Sequence, residues 1–487
     1  MRNFLHQYPL HTFLLTFFMS FFLFAQNPEL IQLFMMKRTL IIGSILALII
    51  FGFMFLIIKE KTKSGIITTL ILFGLFYYGV FYDFLEGLYY KGFWPFHNIH
   101  RYALFLILLY IIIIVWVVNK KIIIGNKINY FLNILIISLF LFNSLKVVYK
   151  TAVFNDIKEE PTNKSIIVAK QKYPNIYYMV LDGYANQHVL KKYYDFDNSD
   201  FINFLKKKHF YVADSAFSNY YSTSPSLSST LNMDYHSKVN GYNYLEKIRT
   251  NNVLEVLKSV GYKTYRLQSG YAVTSGLSQI DSIITINAPN EFERNILKYS
   301  ICRLDDLFGF IPFYRLKSQI SNLNSLVDIQ TTSSKFMFIH IVAPHPPYVF
   351  DENGNRFFSN KNGDNSWEPK CNYTSQLKYF NTVTKNFINY TLSKDKNSVF
   401  ILQSDHGPWI TSKNPNEIFE ARSMILNAMY YNDTLNYKYL YNTISSVNTF
   451  RVFFKCYLDS SFTLIDDEKI GEKDLLTTKT FKDKIIK

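Results

Sequence analysis

The sequence predicts a two-part chain: an all-α membrane domain of five helices, then an α/β domain with a largely parallel central sheet. Three observations carry this. Five apolar stretches, each about the ~20 residues that cross a bilayer core, crowd into the first third of the chain. Short β-type runs then alternate with helical patterns, the signature of parallel-sheet α/β architecture. Two of those runs stop abruptly at an aspartate followed closely by glycine, the kind of strand end at which α/β sheets hold ligands.

The chain has 487 residues, 49% of them hydrophobic, more than one domain's worth. The excess lies in Pro9–Ala25, Leu40–Ile58, Gly65–Phe84, Tyr102–Val118 and Ile128–Val148. A signal peptide would give one short apolar core and a cleavage site, so five stretches in a row read as a membrane domain. The loops after the second and fourth stretches are short and basic, with Lys59, Lys61 and Lys63, then Lys120, Lys121 and Lys127, and Arg2 lies on the same side. Lys37, Arg38, Lys91 and Arg101 are spread over the longer opposite loops. This bias puts the N-terminus in the cytoplasm and everything after Tyr149 outside. Gly92–His100 reads as an aromatic outer loop belonging to the interfacial belt rather than to a substrate site.

Residues 1–149 are therefore expected to form the anchor, 150–173 a polar linker with a short helix, and 174–487 the outer domain. In the last, Ile176–Leu181, Lys263–Leu267, Lys335–Val342 and Val399–Leu402 read as strands, and Asp200–Lys208, Val253–Val260 and Ser375–Ser393 as helices. The formal net charge of +15 comes with no concentrated Lys/Arg block in this region. A diffuse basic surface beside an anionic membrane is expected, and nucleic acid is not. Cys302, Cys371 and Cys456 are widely spaced and odd in number, which gives neither a zinc-finger pattern nor a disulfide framework.

Four stretches carry chemistry. The strand Ile176–Leu181 runs into Asp182-Gly183, and Val399–Leu402 runs into Asp405-His406-Gly407. Two acids and an imidazole at one sheet edge can converge on a divalent cation; each acid alone could equally cap a turn. Asn219–Asn232 clusters hydroxyls around Pro225 ahead of a helical pattern. A hydroxyl at a helix N-terminus sits among free N–H groups and the positive dipole end, which favour an alkoxide and a bound anion; an ordinary Ser-rich cap is the plainer alternative. Phe336–Tyr348 is a strand leading into a proline loop. His345, in the loop, is the candidate for a leaving-group or substrate contact, whereas His340, within an alternating strand, is expected to be a structural core residue.

Together these stretches resemble the alkaline phosphatase superfamily, in its membrane-anchored, sulfatase-like branch, which includes lipoteichoic acid synthases and phosphoethanolamine transferases. The resemblance runs from Pro174 to about Tyr457, and Glu420–Tyr430 and Val447–Val452 also resemble segments of such proteins. Thr223-Ser-Pro-Ser226 is similar to the sulfatase signature Cys-x-Pro-Ser-Arg, with Thr223 in the nucleophile's place and Leu227 in that of the arginine. No cysteine lies in such a context, so a formylglycine nucleophile is not implied. The resemblance implies Thr223 and His345 as catalytic residues. It implies Asp182, Thr223, Asp405 and His406 as ligands of one divalent metal ion (Zn, Mn, Mg or Ca), since no histidine follows His406.

The expectation is thus a multi-pass protein of a bacterial-type cytoplasmic membrane. Its outer domain would transfer or hydrolyse a phospho- or sulfo-ester of a lipid or glycan through a covalent Thr223 intermediate. A sulfatase-like hydrolase using water as the final acceptor and a catalytically inactive membrane scaffold are the rival readings.

Overall fold

The computed structural model describes residues 2–28, 31, 33–90, 98–119, 125–155, 173–236, 243–357 and 367–470. Lys120 and Lys121, most of the expected aromatic loop Gly92–His100 and most of the expected linker 150–173 lie outside the described residues. By packing, the chain forms two units: residues 1–162 with 289–308, and residues 163–288 with 309–487. Residues 289–308 fall within the stretch that the sequence assigns to the outer domain, yet they pack with the N-terminal helices.

In the first unit, helices run over Leu10–Gln26, Lys37–Ile58, Lys61–Tyr90, Ile99–Asn119 and Gly125–Asn155, matching the five apolar stretches. Among the described residues, three helical stretches, Leu33–Ile58, Lys61–Tyr89 and Gly125–Lys150, are long and apolar enough to cross a membrane, and Leu10–Gln26 and Ile99–Ile114 are shorter apolar helices. Leu56, Phe142 and Leu145 stand exposed on their outer faces, as lipid-facing side chains do. Between the helices lies a buried polar cluster. His11 sits between Thr69 Oγ1 at 2.6 Å and Asn129 Oδ1 at 3.0 Å, and Asn129 and Asn133 Nδ2 donate to the carbonyls of Leu5 and Tyr8. Those carbonyls precede the helix that follows Pro9, and in an apolar medium they need side-chain partners. The helix Glu291–Tyr299 opens with a capping box between Asn290 and Glu293. Glu293 also takes a two-pronged ion pair from Arg38, at 2.7 and 2.6 Å, the geometry in which a guanidinium binds most strongly.

The second unit is built on a seven-stranded sheet. Its strands are β1 (Asn175–Leu181), β2 (Tyr211–Val212), β3 (Lys263–Leu267), β4 (Ser282–Ile284), β5 (Lys335–Ile341), β6 (Ser398–Gln403) and β7 (Asn427–Tyr430), in the order β2-β7-β6-β1-β5-β3-β4. The pairings among β6, β1, β5, β3 and β4 are parallel, and β7 runs antiparallel to β6 and β2. The central strands are largely apolar because both faces are covered. Tyr177, Met179, Leu181, Met337, Ile339, Phe400 and Leu402 enter one core; Ile176, Tyr178, Val180, Phe336, Phe338, Val399 and Ile401 enter the other. Burying each such side chain contributes roughly 1.5–3 kcal/mol, against 0–1 kcal/mol for an exposed ion pair, so these two cores hold the unit together. Register then decides the site: Leu181 stands beside Ile341, and Val180 beside Gln403. The carboxyl ends of β1, β5 and β6 therefore open at one edge. The three cysteines are free thiols.

Candidate metal centre

Asp182 is the first residue beyond β1 and stays in line because its N–H donates to Ile341 O at 3.0 Å. Gly183 turns the chain at φ +76°, and a Cβ there would meet the Trp367 ring at 2.6 Å. After β6, Asp405 Oδ1 accepts from the N–H groups of Gly183 at 3.1 Å and His406 at 3.0 Å. Its own side chain thus joins the two strand-end turns. Gly407 N–H donates to Arg422 O at 2.7 Å. That approach is so close that a Cβ on Gly407 would lie 1.9 Å from Ala421 O.

The helix Thr223–Asn232 starts at Thr223. Thr223 is buried, whereas Ser222 is exposed and Ser224 half-buried. Thr223 Oγ1 lies 3.3 Å from His406 Nε2, at the positive end of the helix dipole. Ser226 Oγ donates to Asp405 O at 2.6 Å and lies 2.9 Å from Ser218 Oγ. It locks the helix start to the Asp405–Gly407 turn. Leu227 packs in the core.

These side chains converge. Asp182 Oδ1 and Asp405 Oδ2 each lie 3.5 Å from His406 Nε2. His406 Nδ1–H donates to Gly407 O at 3.0 Å, which leaves Nε2 as the lone-pair nitrogen facing both carboxylates. From the sequence, His340 is expected to be a structural core residue. It is fully buried, but its Nε2 lies 3.6 Å from Asp182 Oδ2. Ligand atoms of Asp182, His340 and Asp405 all fall within 4.8 Å of one another. His340 precedes the strand end and pairs in register with Val180, so it reaches the site from beneath. Its one sequence signal is a polar residue inside an otherwise apolar run.

The electrostatics of the cluster suit a cation. Asp182 Oδ1, His340 Nε2 and Asp405 Oδ2 are buried without a hydrogen-bond partner. Leaving each so costs about 1–3 kcal/mol, and more for a charged group. Burial opposes ionisation of Asp182, but His345, His340 and His406 around it hold its carboxyl below the usual range. Burial, reinforced by the Asp182 charge, pushes Asp405 up. Burial and the nearby Arg422 hold His406 well below its ordinary value, in the neutral form that ligates metals. One divalent cation would satisfy all three orphaned atoms together, and the donors present are of ligand type.

At the rim, His345 is half-buried, its N–H donating to Asp182 O at 3.1 Å. Its ring lies 4.8 Å from Trp367 and 6.2 Å from His406. Arg422, which the motif reading did not single out, is buried beside them. Its Nε donates to Tyr221 O at 3.1 Å, Nη1 to Gly407 O at 2.5 Å, and Nη2 again to Tyr221 O. It therefore ties the residues before Thr223 to the turn after Asp405. The guanidinium also faces the Trp409 ring at 4.9 Å.

This fold and site define a class. The family model described as Sulfatase matches residues 174–442, more than half of the 487-residue chain. The chain belongs to the sulfatase family, and so to the enzymes of the alkaline phosphatase superfamily. Among solved structures, the C-terminal periplasmic domain of EptC from Escherichia coli in complex with Zn is similar at 15% identity and a TM-score of 0.42, over 63% of this chain and 88% of that one. The integral membrane lipooligosaccharide phosphoethanolamine transferase EptA from Neisseria meningitidis is similar at 11% identity and a TM-score of 0.42, over 75% of this chain and 70% of its own. A protein of the alkaline phosphatase superfamily from Vibrio parahaemolyticus is similar at 11% identity and a TM-score of 0.40, over 61% of this chain and 71% of that one. No curated protein matches the chain.

Proposed function

We propose that this chain is an extracytoplasmic, metal-dependent enzyme that moves a phosphoryl-type (or sulfuryl) group from an ester to an acceptor through a covalent Thr223 intermediate. One observation carries the reading: Thr223 Oγ1, at a helix N-terminus, lies 3.3 Å from His406 Nε2, beside the partnerless atoms Asp182 Oδ1, His340 Nε2 and Asp405 Oδ2.

Asp182, His340, Asp405 and His406 would hold the cation, with Thr223 closing the site. Two imidazoles with two carboxylates suit Zn or Mn better than Mg or Ca. When bound, that cation would lower the pKa of the Thr223 hydroxyl and neutralise a non-bridging oxygen of the ester. The N–H groups at the start of the helix Thr223–Asn232 orient a second oxygen. Thr223 Oγ, its proton lost to solvent, forms the bond to phosphorus or sulfur as the leaving oxygen departs. His345 Nδ1–H donates to Pro346 O at 2.7 Å, which directs Nε2 to exchange the proton. In its protonated form Nε2 gives that proton to the leaving oxygen, then takes one from the incoming acceptor alcohol or water as Thr223 is released.

The membrane anchor supports a lipid or surface-glycan substrate, and transfer over free hydrolysis. Five crossings with the N-terminus in the cytoplasm, an anchor over 1–149, a linker over 150–173 and a catalytic region over 174–487 complete the proposal. Residues 289–308 remain with the helical unit. The test is a membrane preparation given a lipid or glycan ester labelled in the transferred group. Label on Thr223 by mass spectrometry, then on a lipid or glycan, is expected. Label released only as free phosphate or sulfate gives hydrolysis instead, and a dead Thr223→Ala variant with label on another residue overturns the nucleophile. A reporter fused after Tyr149 and active only in the cytoplasm overturns the topology.

A further inference from the structure

We infer that Thr274 is a positioning residue for the cation site. Through a buried pair of hydroxyls it holds His340 in the tautomer whose Nε2 is bare. The inference deepens the metal-dependent reading above and rests on it.

The two nitrogens of His340 meet different surroundings. Nδ1 lies 3.1 Å from Thr274 Oγ1, and Thr274 Oγ1 lies 2.8 Å from Ser269 Oγ. Ser269 Oγ accepts from Tyr271 N–H at 3.0 Å and donates to Tyr271 O at 3.4 Å. At the other side of the ring, Nε2 has no hydrogen-bond partner. Asp182 Oδ2, at 3.6 Å, is beyond hydrogen-bonding distance. A neutral imidazole carries one proton, and the nitrogen that finds an acceptor keeps it. In the arrangement inferred here, Nδ1–H donates to Thr274, Thr274 O–H to Ser269, and Ser269 O–H to the Tyr271 carbonyl. Every donor is then used, and Nε2 presents its lone pair to the space between Asp182 and Asp405.

The relay is dry and rigid. His340 and Thr274 are fully buried and Ser269 is 1% exposed, so water offers Nδ1 no alternative acceptor. Arg266 Nη1 donates to Thr274 O at 2.7 Å, and Gln319 Nε2 donates to His340 O at 3.0 Å. Both ends of the Thr274–His340 contact are thereby fixed by buried side chains. Partners of this kind behind a ligating histidine typically change metal affinity by about 10–100-fold.

The test uses the full chain in detergent, with histidine labelled with nitrogen-15. In chelator-treated protein, proton–nitrogen correlation is expected to show His340 protonated at Nδ1; protonation at Nε2 overturns the inference. That measurement decides the relay whether or not the protein binds a cation. Zn and Mn titrations of the wild type decide the metal reading separately. In those titrations Thr274→Val, which keeps the shape and removes the hydroxyl, should bind about 10–100-fold more weakly, and Thr274→Ser should bind like the wild type. Equal affinity for Thr274→Val and wild type overturns the proposal. So does equal weakening by Val and Ser, which would point to packing instead of the hydroxyl.

Discussion

Asp405→Asn should move the stability of the cation-free and the cation-loaded protein in opposite directions. Asp405 Oδ1 accepts two backbone N–H bonds, and an asparagine oxygen can accept both. Oδ2 has no partner, so an amide NH2 in its place loses nothing and removes a charge facing Asp182. Relief of one such buried, unpaired charged atom is on the order of 1–3 kcal/mol, or roughly 2–10 °C in melting temperature for a unit of this size. Burial and Asp182 push the Asp405 carboxyl from 3.8 up to about 6. A raised carboxyl adds stability at low pH that is lost as pH rises through its folded value. The advantage of asparagine should therefore grow between about pH 4 and pH 6 and level off above. With cation at about a hundred times its dissociation constant, the wild type gains about 2.7 kcal/mol, and the variant, missing a ligand, gains little. Thermal melts of the full chain in detergent at about pH 8, in chelator and in Zn or Mn, read both arms. A variant less stable than wild type in chelator, or one that keeps the full cation-induced rise, would refute the reasoning.

Thr223→Ala should reduce turnover at least about a thousandfold with an unchanged melting temperature, and Thr223→Ser should restore part of it, read as initial rates on a labelled ester. Gly407→Ala drives a Cβ to within 1.9 Å of Ala421 O; a backbone neighbour cannot swing aside, so a loss of roughly 1–3 kcal/mol or more is expected by denaturant unfolding. Burial opposes the charge of Glu420, but Lys192, Tyr193 and His188 hold its carboxyl down to about 2. Its contribution is present above the ordinary value of 4.5 and fades as pH falls toward about 2. Glu420→Gln should thus lower the melting temperature at neutral pH and leave it unchanged at the acid end. An equal loss at both would show that packing, not charge, is at stake.

Much of this protein was legible in one dimension because its signals are local. A strand that stops at Asp182-Gly183, another that stops at Asp405-His406-Gly407, and a hydroxyl two residues before Pro225 are short-range patterns. Backbone geometry at a strand end or a first helical turn forces such patterns wherever they occur. The apolar helices are equally local, since length and composition alone make them. His340 and Thr274 lie outside that reach. β5 is buried on both faces, so no alternation separates its core side chains from one aimed at the site. Only the register that sets His340 beside Val180, two residues before Asp182, makes it a neighbour of the carboxylates. Thr274 reaches His340 across 66 residues, and Arg422 reaches Tyr221 across 201. Residues 289–308 interrupt the α/β unit to pack with the N-terminal helices, as Arg38 reaches Glu293 across 255 residues. The sequence by itself determined which residue types stand at the strand ends. Which of them share a dry, common space was decided by sheet register and chain crossing, because those fix distances between segments that have no local interaction with one another.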